Sequence, residues 1–479
     1  MAIRSATPQS RTDRWRPLDT VAAISIAVLT GLPGNAVARQ LREATAPRDA
    51  GEPIVAIVSI KTQQITFYDA DGWIERAPVS TGTRGRETPA GVFTVVQKNE
   101  DHRSNLYDDA AMPHMQRLTW NGIALHGGPL PGYAASHGCV RMPYGFAERL
   151  FDKTRIGMRV IISPNDAAPV AFSHPALFVP NAEAVAAASE RAAALEREAR
   201  NAAIAADDAK NAAATTARVA ASLTATIRKL EGIKFRADAE LAQADKTLAS
   251  VKTEQAKVRT EEFKLKTAAK AAEAGTQLET AKVDAKSKLD AAARAKEDAK
   301  ATASRKVDAA KAAVEAQLAL EPASVYISRA TQKLYVRRNT RKAWLDGGDV
   351  FDASIELPVM IRNPDQPIGT HVFTAMDRNE AGLRWTAVTI DNGDDAKTAL
   401  DRVIIPKDVL DRIAPTVLPR SSIIVSDEPL SRETNYRTEF VAVLSKQPQG
   451  GFITRAPAPR DNYEDDDDQR GRNRRRAQR

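Results

Sequence analysis

The sequence predicts a multi-domain protein: a mainly-β domain, a long alanine-rich α-helical or coiled-coil region, and a second β-rich segment that is a degenerate repeat of the first. Short apolar runs separated by Gly and Pro turns fill residues 52–165 and 323–446, as in β-rich folds. Between them, Pro180 and Pro322 bracket a proline-free stretch rich in strong helix formers. A chain of 479 residues has room for two or three such domains.

Residues 1–38 have the pattern of an export signal. Thr20–Leu32 is apolar or small throughout, and Ala36-Val37-Ala38 places small residues as in a cleavage site. The apolar run is shorter than the ~20 residues that span a bilayer. We therefore expect a cleaved signal peptide and a periplasmic protein, with an uncleaved anchor as the alternative. The positive leader before the run contains Arg4, Arg11, Arg14 and Arg16.

Residues 52–165 are predicted to form a β-rich globular domain. A Gly- and Pro-punctuated loop covers Thr81–Gly91, and Phe146–Phe151 is predicted to be a short helix. A near-continuous apolar run such as Ile54–Ile60 is typical of a buried strand. The predicted strands are Ile54–Ile60, Ile65–Tyr68, Ala77–Ser80, Val92–Val96 and Met158–Ser163.

The single cysteine of the chain, Cys139, lies in Ser136-His137-Gly138-Cys139, and His126 precedes it in Leu125-His126-Gly127-Gly128. A thiol needs a nearby imidazole to become the thiolate that attacks carbonyls. A lone cysteine also forms no internal disulfide. A single Cys is often only a small buried hydrophobe, but two histidines close to this one favour a nucleophile.

Charge and histidine content argue against other functions. The net charge is +8, yet the basic residues alternate with Asp and Glu, and no nucleic-acid-binding motif is present. We therefore predict no nucleic-acid partner. A metal site would need His102 and His114 together with His126 and His137. The spacing of these histidines does not match the paired ligands of known metal sites. We predict neither a metal nor another cofactor.

The motifs around Cys139 resemble the L,D-transpeptidase (YkuD-type) catalytic domain. The motif that contains Cys139 is the most specific. The resemblance covers residues 52–165 strongly and residues 323–446 in degenerate form. The helical stretch lies outside it. The matching elements are Thr81-Gly82, Thr88-Pro89-Ala90-Gly91-Val92-Phe93, His126-Gly127 and Ser136-His137-Gly138-Cys139-Val140-Arg141-Met142.

The resemblance implies a β-sandwich fold in which Cys139 is the nucleophile. In this family the thiolate attacks a peptidoglycan stem tetrapeptide at the bond between the L-centre of the diamino acid and D-alanine. A thioester forms and D-alanine leaves. An amine of a second stem, or of an envelope protein, then accepts the acyl group. Water as the acceptor would make the protein an L,D-carboxypeptidase, and the sequence does not indicate which acceptor is used.

The same resemblance assigns roles to the residues beside Cys139. His126 is the candidate base, with a backbone carbonyl near Gly127 fixing its tautomer. His137 either assists the site or is a structural histidine beside a turn. Gly138 permits close backbone approach, and the amides of Gly138 and Cys139 are expected to stabilise the tetrahedral oxyanion.

Ser136, Arg141 and Tyr133 complete the predicted site. Arg141 either binds a substrate carboxylate bidentately or forms a surface salt bridge. Tyr133 either lines the groove or packs in the core. A short loop separates His126 from Ser136, which predicts an open site.

Residues 181–321 are predicted to be helical. A heptad pattern can be written from Leu223 to Leu265, but several of its core positions are polar, which indicates a weak coiled coil. Gly232 and Gly275 are the predicted break points. A single straight helix would be about 210 Å long, so we expect a helical hairpin or a rod that self-associates.

Residues 323–446 repeat the first domain without its thiol. Val140–Ser163 aligns without gaps on Val403–Ser426, and Cys139 then falls on Arg402. His371 falls on Phe93 when the two proline loops are aligned. Residues 447–479 are predicted to be a disordered charged tail.

A non-catalytic function is the alternative to the transpeptidase. The helical region and the repeat would then act as a cell-wall-binding spacer or scaffold, and Cys139 would be vestigial.

Overall fold

The structure, a computed structural model, describes residues 42–104, 109–343, 348–380 and 382–453. The predicted signal peptide lies outside the described residues, as does the charged tail from residue 454 onward. In chain order, the described parts form a mainly-β region, two long helices and further β sheets. No helix among them combines the length and the apolar character that crossing a membrane requires.

The first β region forms one sheet with a smaller sheet and a helix beside it. In the larger sheet, β2 and β10 are parallel neighbours, with β3 and β4 on one side and β5 on the other. The smaller sheet has the order β6-β7-β8-β9. The elements are β1 (Ala44–Thr45), β2 (Val55–Ser59), β3 (Gln64–Asp69), β4 (Gly72–Pro78), β5 (Gly91–Thr94), β6 (Gln97–Arg103), β7 (Ala111–Arg117), β8 (Ala124–Gly127), β9 (Val140–Met142), α1 (Tyr144–Phe151) and β10 (Arg159–Ser163).

The rest of the chain contains the helices and a second large sheet. The elements are β11 (Val170–Phe172), α2 (Ala182–Ser250), α3 (Glu254–Leu318), β12 (Ser324–Ser328), β13 (Lys333–Ala343), β14 (Asp349–Pro358), β15 (Met360–Ile361), β16 (His371–Asn379), β17 (Gly382–Thr389), α4 (Ala396–Arg402), β18 (Val403–Ile404), α5 (Lys407–Ile413), β19 (Ser422–Ser426), β20 (Ala442–Val443) and α6 (Gly450–Ile453). A 3-10 turn at Ala414–Thr416 follows α5.

The central strands of the first sheet are buried on both faces. Ala56 and Val58 of β2 pack in a core that includes α1, because successive side chains of a strand point to opposite faces. Val55 and Ile57 point the other way, into a core shared with Tyr326 and other residues of the second sheet. The two large sheets therefore pack on each other through a common apolar layer.

The two sheets share a strand order. The run β4-β3-β2-β10-β5 in the first corresponds to β14-β13-β12-β19-β16 in the second, and in both the central pair is parallel. Pro143 and Pro406 precede α1 and α5 with closely similar backbone angles, φ −54° and ψ 139° against φ −56° and ψ 137°. The matched segments of the sequence thus lie at equivalent positions of two similar sheets.

The predicted match of His371 to Phe93 is wrong by two residues. His371 pairs with Val425 in the second sheet, whereas Gly91 pairs with Ile162 in the first. Ile162 and Val425 are equivalent in the alignment of Val140 on Val403, so His371 corresponds to Gly91. The shift arises because Pro367 lies further from its strand than Pro89 does from β5.

Each large sheet also contains a strand from beyond its own predicted segment. β11, just after residue 165, pairs with β17 of the second sheet, and β20 pairs with β5 of the first. Gly450–Ile453 forms the short helix α6, and Phe452 packs against the core of the first domain. The prediction of a disordered tail is therefore wrong for residues 447–453.

The two long helices form an antiparallel hairpin. The chain leaves the helical conformation at Val251 and α3 begins after Thr253, both of which have extended backbone angles. The predicted break points Gly232 and Gly275 lie inside α2 and α3. A single glycine costs a helix only about 1 kcal/mol relative to alanine, so it does not end helices of this length.

The predicted heptad holds in α2 and fails in α3. Ala237 and Ala244 are buried in the seam between the helices, but Val258 and Leu265 are 55% and 71% exposed. The chain reverses between them, so one continuous register cannot face the same partner. In α3 the seam instead contains Thr267, Ala271 and Ala274.

Candidate active site

Cys139 and His126 are brought together by two short parallel strands. His126 lies in β8, and Cys139 immediately precedes β9. Leu125 pairs with Val140 and His126 pairs with Arg141. Extended by one pair, this register sets Cys139 opposite Ala124, two residues before His126. Because alternate residues of a strand share a face, the imidazole and the thiol lie on the same face of two adjacent strands.

Cys139 lines a cavity of about 240 Å³ together with His126 and His137. Cys139 is 5% exposed and packs with Met112, Met115 and Ala124. Its Sγ atom donates a hydrogen bond to the carbonyl of Gly122 at 3.4 Å. The sulfur is thus largely buried, yet it faces a space that both imidazoles share.

His126 is held in one orientation by the backbone. Its Nδ1 lies 2.9 Å from the carbonyl oxygen of Gly127, and the residue is 7% exposed. A carbonyl only accepts hydrogen bonds, so the neutral ring carries its proton on Nδ1. Nε2 is then left as the acceptor, which is the form that a base requires.

Ser136 and Thr88 shape the loop that precedes the cysteine. The Ser136 hydroxyl donates to the carbonyl of Cys139 and accepts the amide N–H of Gly138 at 3.1 Å. The Thr88 hydroxyl donates to the carbonyl of Gly138 at 2.9 Å. The amide of Gly138 is therefore engaged within the loop, in contrast to the oxyanion role predicted for it.

Arg141 lines the cavity, whereas Tyr133 lies outside the residues that line it. The predicted salt bridge of Arg141 is not observed with any carboxylate in the described parts of the chain. The ring of Tyr133 is 64% exposed. Its backbone carbonyl accepts a hydrogen bond from the Ser80 hydroxyl at 2.8 Å, so Tyr133 supports the site through its main chain and its ring does not form part of the groove.

The matching family model is the L,D-transpeptidase catalytic domain (YkuD), over residues 53–162. This region resembles an L,D-transpeptidase. The match confirms the resemblance that the motifs predicted. The comparison with curated proteins found no match.

Several solved L,D-transpeptidase structures are similar to about a quarter of this chain. An L,D-transpeptidase from Mycobacterium smegmatis is 23% identical, with 23% of this chain and 59% of that chain covered and a TM-score of 0.22. One from Stackebrandtia nassauensis is 24% identical, with 25% and 58% covered and a TM-score of 0.22. The catalytic domain from Enterococcus faecium is 23% identical, with 24% and 99% covered and a TM-score of 0.21. The chain thus spans less than two thirds of the first two structures.

His102 and Arg117 also line the cavity. Sequence analysis considered His102 only as a possible metal ligand and did not single out Arg117. They lie on the hairpin β6–β7, and Arg117 Nη2 is 3.4 Å from His102 Nε2. Burial lowers the pKa of His102, and the positive charge of Arg117 and the nearby His126 lower it further. The lowered pKa favours the neutral form of the His102 ring.

Gly122 and Thr88 also contact the loop of the cysteine without having been assigned roles from the sequence. The Asn121-Gly122 pair is a typical turn signal, but nothing in it indicates that its carbonyl meets the thiol. Thr88 belongs to one of the recognised motifs, yet its bond to Gly138 depends on contacts across the fold. Among the described residues, no group of three or more His, Cys, Asp and Glu is arranged to hold a metal.

Proposed function

We propose that the protein is a periplasmic cysteine L,D-transpeptidase that acts on peptidoglycan stem tetrapeptides. The observation that carries this proposal is the shared cavity of Cys139 and His126, with Nδ1 of His126 fixed by the carbonyl of Gly127. This arrangement leaves Nε2 to take the thiol proton. The match of residues 53–162 to the L,D-transpeptidase catalytic domain supports it.

In the first half of the reaction, His126 accepts the proton of Cys139 through Nε2 and the thiolate attacks the peptide carbonyl. The S–C bond forms as the carbonyl π electrons move to oxygen. Collapse of this intermediate breaks the C–N bond to D-alanine, whose amine takes the proton back from His126. The products are a thioester on Cys139 and free D-alanine. General acid–base help of this kind contributes roughly 10²–10⁴-fold to rate.

In the second half, an amine attacks the thioester carbonyl and gives a proton to His126. The C–S bond breaks and the sulfur is reprotonated, so the enzyme returns to its starting state. The acceptor amine belongs to a second stem peptide or to an envelope protein. Water in its place gives L,D-carboxypeptidase activity with the same two residues.

Arg141 is proposed to bind the terminal carboxylate of the substrate. It lines the cavity next to Cys139, and none of the acidic side chains in the described ranges lies within ion-pair distance of it. A guanidinium presents two parallel N–H groups that match a carboxylate. This role accounts for a cation beside the nucleophile.

We also propose that the second β region is a degenerate repeat that has lost the reaction. Arg402, at the position equivalent to Cys139, is 6% exposed and donates to the carbonyls of Asn363 and Gln366 at 2.6 and 2.8 Å. It also pairs with Asp394. At the position of the nucleophile, the second region thus has an arginine that holds its own loop together.

We further propose that the hairpin of α2 and α3 is a coiled coil that provides a surface for self-association.

The test is covalent acylation of the full chain by a carbapenem, followed by intact-mass spectrometry. The wild-type protein should gain one adduct, and C139A should gain none. H126N should acylate on the order of 10²-fold more slowly or worse. H174N is the matched control, because His174 lies outside the cavity and pairs with Asp401; it should acylate like wild type.

Incubation with peptidoglycan fragments then identifies the acceptor. New cross-links between stems, protein-linked fragments or shortened stems each correspond to one acceptor. Acylation of C139A at the wild-type rate would contradict the proposal. Binding of cell wall without any turnover would instead favour the spacer function.

A further inference from the structure

The C-terminal segment, defined here as residues 433–452, packs on the loops that hold the nucleophile. It follows the second sheet in the chain, yet β20 within it extends the first sheet beside β5. Val441 is fully buried in the core of the L,D-transpeptidase-like domain. The segment is therefore a structural part of the domain that carries Cys139.

Glu433 of this segment contacts the turn that lies beside the site. It is 4% exposed, and its carboxylate accepts the backbone N–H of Asn121 at 3.0 Å. Burial raises the pKa of Glu433, while the backbone N–H groups of Asn121 and Trp120 act in the opposite direction. The carboxylate thus accepts the amide of Asn121 and lies beside that of Trp120 in one turn. The guanidinium of Arg437 stacks on Trp120 at 3.7 Å on the same turn.

That turn supplies the carbonyl beneath the thiol. Gly122 has a φ of +105° and accepts the hydrogen bond from the Sγ atom of Cys139. The hydroxyl of Thr119 closes the turn by accepting the N–H of Ile123 at 3.0 Å. Asn121 also donates through Nδ2 to the carbonyl of Phe452 at 3.4 Å. The amide held by Glu433 and the carbonyl that meets the nucleophile therefore belong to two adjacent residues, Asn121 and Gly122.

The same segment supports the other side of the cysteine. Gly451 donates its N–H to the carbonyl of Glu87 at 2.9 Å. A Cβ atom on Gly451 would lie 2.7 Å from the Cα of Gly138, so the two glycines are in direct backbone contact. The residue before Cys139 and the turn below its sulfur are both braced by residues 433–452.

We propose that Glu433 is a positioning residue of the transpeptidase reaction, which fixes the turn of Trp120 to Gly122 and through it the thiol of Cys139. The inference rests on the proposed function and extends it to a residue 312 positions beyond Asn121 in the chain. A displacement of about 1 Å at a reacting group can cost on the order of 10²-fold in rate. The L,D-transpeptidase-like domain therefore needs the C-terminal segment for its activity.

The test compares E433M, E433Q and E428M in the full-length protein. Methionine keeps the volume and removes both acceptors, whereas glutamine keeps one acceptor oxygen. Glu428 is the matched control, because its carboxylate accepts the N–H of Ser445 at 2.8 Å, away from the residues that line the cavity. Carbapenem acylation is resolved into a binding constant and a first-order rate. Alkylation of Cys139 by iodoacetamide at one pH reports the placement of the thiol independently of any transpeptidase activity.

E433M should lower the first-order acylation rate on the order of 10²-fold, leave the binding constant unchanged, and raise the alkylation rate as the thiol becomes exposed. The acylation rate of E433Q should stay within about tenfold of the wild-type rate. E428M should have the wild-type rates of acylation and alkylation. If circular dichroism shows that E433M is unfolded, E433D replaces it, since the shorter side chain withdraws the carboxylate from the turn.

The inference is wrong if E433M is acylated and alkylated at the wild-type rates. It is also wrong if E433Q is acylated as slowly as E433M. If the wild-type protein itself is not acylated, the proposed function fails. The alkylation rates then still decide whether Glu433 places the thiol.

Discussion

Gly138 occupies a backbone position that side chains tolerate poorly. Its φ is +113°, and a Cβ atom there would lie 3.0 Å from the Cα of Gly451 and 3.2 Å from a methyl of Ile123. A φ this far into the positive region is readily adopted by glycine, which has no Cβ atom. The conformation turns the chain from the Ser136 loop into β9, so it determines where Cys139 emerges.

Gly138→Ala should destabilise the fold and abolish acylation of Cys139. The alanine incurs backbone strain of about 1–3 kcal/mol and an overpacking cost of about 1–3 kcal/mol. Gly72→Ala is the control, because Gly72 has a φ of +128° with nothing within 4 Å of its added Cβ. Urea unfolding of the two variants separates strain from packing. If both variants lose the same free energy of unfolding, the contact between Gly138 and Gly451 does not contribute to stability.

The helical hairpin depends on small side chains in its seam. Ala237, Ala271 and Ala274 form a buried cluster with Ile233 and Leu241 around it. Small residues let the helix axes approach closely. At about 1.5 Å per residue, α2 is about 100 Å long, so most of its stability comes from this shared face.

Ala274→Leu should lower the melting temperature of the hairpin. The added methylenes have no space in the seam, and overpacking of this kind costs about 1–3 kcal/mol. Ala272→Leu adds the same atoms on the exposed side of the same turn and should change stability by less than about 0.5 kcal/mol. Thermal unfolding followed at 222 nm distinguishes the two. A seam that tolerates leucine as well as the surface does would contradict close helix packing.

At the scale of the whole molecule, a buried ion pair lies at the junction of the two β regions. Arg159 of β10 contacts Glu439 at 2.8 Å and the hydroxyl of Ser422 at 2.7 Å. Both charged side chains are less than 10% exposed. Burial raises the pKa of Glu439, and the positive charge of Arg159 opposes that rise. The pair lies where the two large sheets share their apolar layer, so each β region depends on the other.

Arg159→Met should destabilise both β regions together. The substitution leaves the carboxylate of Glu439 buried without its closest cation, which typically costs about 3–5 kcal/mol. Lys397→Met breaks an exposed pair with Asp401 and should leave the unfolding transition in place. Calorimetry of Arg159→Met should show both β regions unfolding in a single transition at a lower temperature than in the wild-type protein. Separate unfolding of the two regions would argue against coupling through this pair.

The elements that sequence predicted well are those whose apolar pattern is local. The runs at Ile54–Ile60 and Met158–Ser163 became the parallel central strands β2 and β10, because continuous burial on both faces leaves a plain hydrophobic signal. β6 was missed, since its residues Gln97–Arg103 are polar and largely exposed. Its place in the sheet comes from pairing with β7, which a periodicity search does not detect.

Sequence alone determined the family resemblance, the proline-free helical region and the pairing of one cysteine with nearby histidines, because each is written in adjacent residues. Only the tertiary structure decided which distant groups surround Cys139: the carbonyl of Gly122, the wall from β6–β7, and the segment that brings Glu433 and Gly451 to the site. The physical reason is that backbone hydrogen bonds and close packing between separate segments leave no periodicity in the chain. They exist only once those segments have packed together.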